Sequence, residues 1–188
     1  MLQLVHVGHK ALVDYATLVS RGLMDEIARL AEPLRGKRVV HVSATAFGGG
    51  VAEINYTLVP LMADAGLDVE WRVIRGADEF YNVTKTIHNS LQGDPRGLTA
   101  DDREIFARYN AENAAVFDAD AYDFVIIHDP QPVAMIDAFP ARWRNGSGAA
   151  TSTSRPRTRM SSTCCCRRFA STTRRSSTCA PTRRPQAA

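Results

Sequence analysis

Arg38-Val-Val-His-Val-Ser43, then Thr45-Ala-Phe-Gly-Gly-Gly50, then Ile54, Leu58, Leu61 and Met62 at helical spacing up to Gly66, decide the fold. A β-branched run, a glycine turn and an amphipathic helix form one strand–turn–helix unit. Val69-Glu-Trp-Arg-Val-Ile74 alternates as a second strand, and Asn82 to Leu91 reads as a helix closed by the loop Gly93-Asp-Pro-Arg-Gly97. Thr99 is placed to cap a further helix with Asp101, Asp102 and Glu104 in its first turn, where the helix dipole favours negative charge. That helix runs toward Phe117. Tyr122-Asp-Phe-Val-Ile-Ile127 is an almost continuous apolar run, the pattern of a strand buried on both faces of a parallel sheet. Upstream, Leu23, Ile27, Leu30 and Leu34 outline an amphipathic helix that ends near Pro33 to Gly36 and serves as an N-terminal arm. Strands alternating with helices predict an α/β fold with a doubly wound parallel sheet, whose ligands gather beyond the carboxyl ends of the strands. Gly48 to Gly50 and His128 to Gln131 both fall at such ends.

Charge divides the chain in two. From Ala141 to Ala188 there are eleven Arg and no Asp, Glu or Lys, whereas residues 1–140 hold twelve basic and twenty acidic side chains. The net charge of +3 is thus an average of +11 and −8, and the overall pI carries no argument for nucleic acid. All four Cys lie in the tail, so the body offers neither a disulfide framework nor a thiolate metal site. No signal peptide and no apolar run of about 20 residues are present, which predicts a cytoplasmic protein with no membrane partner. Residues 1–143 are expected to form one domain, and 144–188 an Arg/Ser/Thr-rich, disordered tail without an apolar face.

The genetic code gives that tail a second reading. If each codon's first two bases become the last two of a shifted codon, Cys turns into Leu, Met or Val, and Thr into Asp, His, Asn or Tyr. Cys164-Cys165-Cys166 then becomes aliphatic, and the segment from Asn145 can yield Trp-Ile-Trp-Arg-Cys-His-Ile-Asp-Leu. This predicts a frameshift after about Trp143.

Three segments together are specific: Gly48-Gly-Gly-Val-Ala-Glu53, Phe80-Tyr-Asn-Val-Thr-Lys-Thr-Ile-His-Asn-Ser-Leu-Gln-Gly93 and Val125-Ile-Ile-His-Asp-Pro-Gln-Pro132. They resemble the N-terminal domain of trehalose glycosyltransferring synthases, retaining enzymes among the family-four GT-B glycosyltransferases. The resemblance runs from about residue 9 to Trp143, and the shifted string matches what the family places next. It implies one lobe of a GT-B fold, the acceptor side, with the nucleotide-sugar donor held mainly by a second lobe that these residues do not match. The implied reaction makes trehalose from NDP-glucose and glucose, without a cofactor or a metal, and the chain by itself is expected to be inactive. The resemblance leaves a homodimeric parent open.

Each candidate residue has a plain reading beside the functional one. Gly49 and Gly50 match the family's turn toward the donor diphosphate and sugar; a glycine triplet otherwise makes an ordinary turn. Glu53 can bond a sugar hydroxyl or simply complement the helix N-terminus. His128 matches the strand-end histidine that the family places beside the transferred sugar, as the catalytic-site candidate; an isolated strand-end His is otherwise structural. Asp129 can accept from acceptor hydroxyls, or start a turn before Pro130. Lys85, His88, Asn89 and Gln92 share one helix face that either lines the sugar site or is merely solvated. Trp71, Arg72 and Tyr81 support no assignment. Other classes are a stand-alone sugar-binding module and a nucleic-acid binder acting through the Arg tail; the tail's lack of interleaved aromatics other than Phe169 argues against the latter.

Overall fold

A computed structural model describes residues 1–144 and 149–152. In chain order the strands and helices are β1 (Gln3–Leu4), α1 (Arg21–Ala31), β2 (Arg38–Ser43), α2 (Gly50–Asp64), β3 (Asp68–Val73), α3 (Asp78–Leu91), α4 (Ala100–Ala115), β4 (Phe124–His128), α5 (Ala141–Arg144) and β5 (Ala149–Ser152). Short 3-10 turns at Leu12–Tyr15, Glu32–Leu34, Ala119–Ala121 and Val133–Ala138 complete the described chain.

The sheet order is β1-β3-β2-β4-β5. β3, β2, β4 and β5 run parallel, and β1 joins the edge antiparallel to β3. The chain passes from β2 to β3 on one side and then crosses to β4 on the other. The order therefore reverses between β2 and β4, which is where a doubly wound sheet opens a crevice. Helices cover both faces. α2 supplies Ala52 and Val59 against Trp71 and Val73, while α3 and α4 bring Phe80, Val83, Ile87 and Phe106 onto Val40, Val42, Val125 and Ile127. Alternation along the strands explains the split, because successive side chains leave opposite faces. Each large side chain buried this way contributes about 1.5–3 kcal/mol.

The predicted elements form, with informative departures. β1 escaped the sequence reading because two residues carry no period, and it makes the sheet mixed instead of purely parallel. α3 begins at Asp78, not Asn82: Asp78 and Glu79 occupy its first turn and Phe80 is fully buried. α4 starts as expected, with Thr99 Oγ1 accepting from the Asp102 N–H at 3.1 Å and the Asp102 carboxylate accepting from the Thr99 N–H at 2.9 Å. α1 is capped by Ser20 but buries no residue, and Leu23 and Leu30 of its apolar stripe remain exposed.

Trp143 belongs to the core, with its indole N–H donating to Asp120 Oδ1 at 3.1 Å. The frameshift concerns mainly residues outside those described. So does the expected disorder after residue 144, apart from β5, whose backbone pairs with β4 from Val125↔Ala149 to His128↔Ser152. No helix among the described residues is long and apolar enough to cross a membrane.

Candidate functional site

The parallel register places His41 opposite Ile126. His128, two residues further along β4, therefore projects from the same face as His41, the face covered by α2. The two imidazoles stack with centroids 5.1 Å apart and planes 17° apart, and His41 Nδ1 lies 2.9 Å from His128 Nε2. Both rings are buried. Burial, followed by the neighbouring His128, pushes His41 down to about 4, while Asn55 of α2 opposes the lowering. Burial also pulls His128 below the usual histidine range. At neutral pH the pair is two uncharged rings sharing one hydrogen bond.

The glycine turn leaves β2 at the same end of the sheet. Gly48 has φ 71° and Gly49 has φ 86° with ψ 157°, conformations that side-chain-bearing residues rarely adopt. Gly50 opens α2 with ordinary backbone, and a Cβ added there would meet nothing within 4 Å. Glu53 sits exposed in the first turn of α2, its N–H bonded to the Gly49 carbonyl at 3.3 Å. The turn and the tip of β4 thus open on one edge of the sheet, because β2 and β4 are parallel neighbours.

Asp129 follows His128 with φ 66°, the one non-glycine residue at positive φ among those described. Burial raises its carboxyl group above the usual range, partly offset by the imidazole of His88. α3 brings that imidazole across the crevice. At its start the Tyr81 hydroxyl donates to the Ala44 carbonyl just beyond β2 at 3.2 Å, and seven residues on His88 lies near Asp129 beyond β4. Lys85, between them at helical spacing, is on the same exposed side. Gln92 Nε2 lies 2.9 Å from His88 Nε2. Asn89 is exposed, and no distance ties it to the strand tips. Lys85, His88 and Gln92 thus share one side of α3, and of the three His88 acts electrostatically on Asp129 beyond β4. Among the described residues no group of three or more His, Cys, Asp or Glu is disposed to hold a metal ion.

The chain matches the family model described as trehalose synthase, N-terminal domain, over residues 41–148. It is 54% identical over 134 residues to trehalose synthase of Rubrobacter xylanophilus, a match covering 70% of this chain and 32% of that protein. The chain belongs to the trehalose synthase family. Trehalose synthase of Pyrococcus horikoshii is 43% identical over 142 residues, which is 73% of this chain and 34% of the relative. A more distant relative is trehalose phosphorylase of Pleurotus pulmonarius, 31% identical over 138 residues, or 66% of this chain and 18% of that protein. The chain spans about a third of the length of the trehalose synthases it matches.

Within this domain, several residues that shape the crevice are not singled out by the sequence. His41 sits inside a β-branched run and reads as one polar interruption; its alignment with His128 depends on strand register. Asn55 lies amid the apolar positions of α2. Two asparagines of α4 fix the loops at the carboxyl edge. Asn110 Nδ2 donates to the Gln131 carbonyl at 3.1 Å, and Asn113 exchanges two 2.7 Å bonds with the Arg75 backbone. With Tyr81 they tie down the chain beyond β2, β3 and β4. Trp71 proves to be core, donating to Ser43 Oγ at 2.8 Å, and Arg72 is held by Glu70 and Tyr122. Their spacing of three in α4 was the available clue for Asn110 and Asn113, since polar residues on a buried helix stripe must find partners.

Proposed function

We propose that residues 1–143 are the sugar-accepting lobe of a GT-B enzyme that transfers glucose from NDP-glucose to glucose with retention, making trehalose. The observation that carries the reading is the convergence of the glycine turn and the His128–Asp129 tip at the single reversal of the sheet. The names of the relatives supply the sugar. In this reading His128 orients a hydroxyl near the reacting carbon, and Asp129, Glu53, Lys85, His88, Asn89 and Gln92 serve hydroxyls or phosphate. Gly49 and Gly50 let the backbone approach the donor diphosphate without a Cβ intervening. Retaining transfer then relies on positioning and on electrostatic stabilisation of the departing diphosphate, the latter mainly from the donor lobe.

The lobe alone is accordingly expected to bind sugar without turning it over. Isothermal titration of the 188-residue chain with glucose and with trehalose tests binding, and incubation with NDP-glucose plus glucose tests turnover. Absence of any sugar binding removes the reading; trehalose production by the chain unaided removes the assignment of diphosphate stabilisation to a second lobe.

A further inference from the structure

The chain leaving β2 holds out one uncovered ring on an ordered backbone. Ser43, Ala44 and Ala46 are buried, yet Phe47, just before the glycine turn, is 78% exposed. Its own backbone is held on both sides: Thr45 Oγ1 accepts from the Phe47 N–H at 3.1 Å and donates to the Phe47 carbonyl at 3.0 Å. Ser43 Oγ donates to the Thr45 carbonyl at 3.1 Å, and the Tyr81 hydroxyl of α3 donates to the Ala44 carbonyl at 3.2 Å. Four side-chain hydrogen bonds thus order a loop whose largest apolar group is left to solvent. A ring presented from ordered backbone loses little further freedom when a ligand covers it.

The same loop abuts a row of polar groups. Tyr81, bonded to Ala44, begins that row on α3, and Lys85 and His88 continue it at spacings of four and three, so the three share one helix side. An uncovered ring beside a row of donors and acceptors suits a pyranose, which offers a face of C–H groups and a rim of hydroxyls. Small-molecule sites pair aromatic surface with a few placed polar groups in this way. A nucleobase would stack on the ring as well but has no hydroxyl rim for the row to meet. We propose that Phe47 is the stacking platform for the acceptor glucose, its ring lying against the C–H face while the α3 row meets the hydroxyls. This rests on the sugar-accepting reading above and adds to it a specificity-determining residue outside the glycine triplet and the His128–Asp129 tip.

The two native tryptophans, Trp71 and Trp143, are buried, so Phe47→Trp in the 188-residue chain places an exposed indole at the platform. Its emission should shift saturably with glucose, at the midpoint that calorimetry gives for the unmodified chain. Phe47→Ala should weaken glucose binding about tenfold, and Phe47→Leu, apolar but without a flat face, nearly as much. Both variants should keep the thermal midpoint of the unmodified chain, because the ring they remove is exposed. Glucose affinity unchanged in Phe47→Ala, or retained in full by Phe47→Leu, overturns the platform and leaves the sugar-accepting reading standing. Emission of Phe47→Trp that answers UDP-glucose or ADP-glucose but not glucose overturns the acceptor assignment and sets the ring against the donor. An unmodified chain that takes up no glucose sinks the sugar-accepting reading itself, and the platform with it.

Discussion

His41 Nδ1 and His128 Nε2 lie 2.9 Å apart, joining the two central strands through a pair of stacked, buried rings. Folding therefore holds uncharged two groups that ionise more readily in the unfolded chain. The folded values lie below the ordinary 6.5, so the unfolded chain takes up protons first as pH falls. The stability in question is fully present above pH 6.5 and is lost as pH drops toward about 4 for His41. The His41 contribution is on the order of 3 kcal/mol. Urea unfolding at pH 7.5 and 5 should show a clear loss at the lower pH, and His41→Leu should flatten that dependence.

Ser43 Oγ accepts from the buried Trp71 indole N–H at 2.8 Å and donates to the Thr45 carbonyl at 3.1 Å. Ser43→Ala strands the indole donor, with an expected cost of about 1–3 kcal/mol. The loss should appear as a lower urea midpoint at unchanged slope. An unaltered midpoint would show that the indole is satisfied elsewhere.

Asp129 holds a left-handed backbone conformation with φ 66°. Asp129→Gly relieves the strain and should leave stability unchanged or raised by up to about 1 kcal/mol, while weakening glucose binding. Asp129→Val should destabilise by about 1–3 kcal/mol, since β-branched residues tolerate positive φ poorly. Thermal melts paired with sugar titrations separate the two effects.

Gly49 and Gly50 make a matched comparison. Gly49→Ala should cost about 1–3 kcal/mol through its backbone alone, although open space surrounds the new methyl group. Gly50→Ala lies at the start of α2 with ordinary φ and should preserve stability. If the donor's diphosphate approaches this turn, joining the Gly50→Ala chain to a donor lobe should still yield weak donor binding. Donor affinity equal to that of the unsubstituted pair would return the turn to a purely structural role.

The reading frame is open to direct inspection. DNA across codons 140 to 150 should reveal an alternative frame that continues the domain at the predicted offset. A gene with no such frame would leave the Arg-rich segment as the authentic continuation.

Sequence periodicity alone defined β2, β3, β4 and the helices between them, because burial on a sheet or beneath a helix imposes repeats of 2.0 and 3.6 residues. It likewise marked Gly48–Gly50 and His128–Asp129 as strand-end residues, and the cap at Thr99 was legible because capping is local chemistry. Strand order was not: no residue of β2 records that β4 lies beside it. The pairing of His41 with His128, the burial of Asn55 above them, and the anchoring of strand-end loops by Asn110 and Asn113 follow from register and from which helix covers which face. The sequence by itself determined the elements and the residues that end them, since those depend on neighbours along the chain. Only the tertiary structure decided which polar side chains share a desolvated site, because partners 87 residues apart are chosen by how the sheet is assembled.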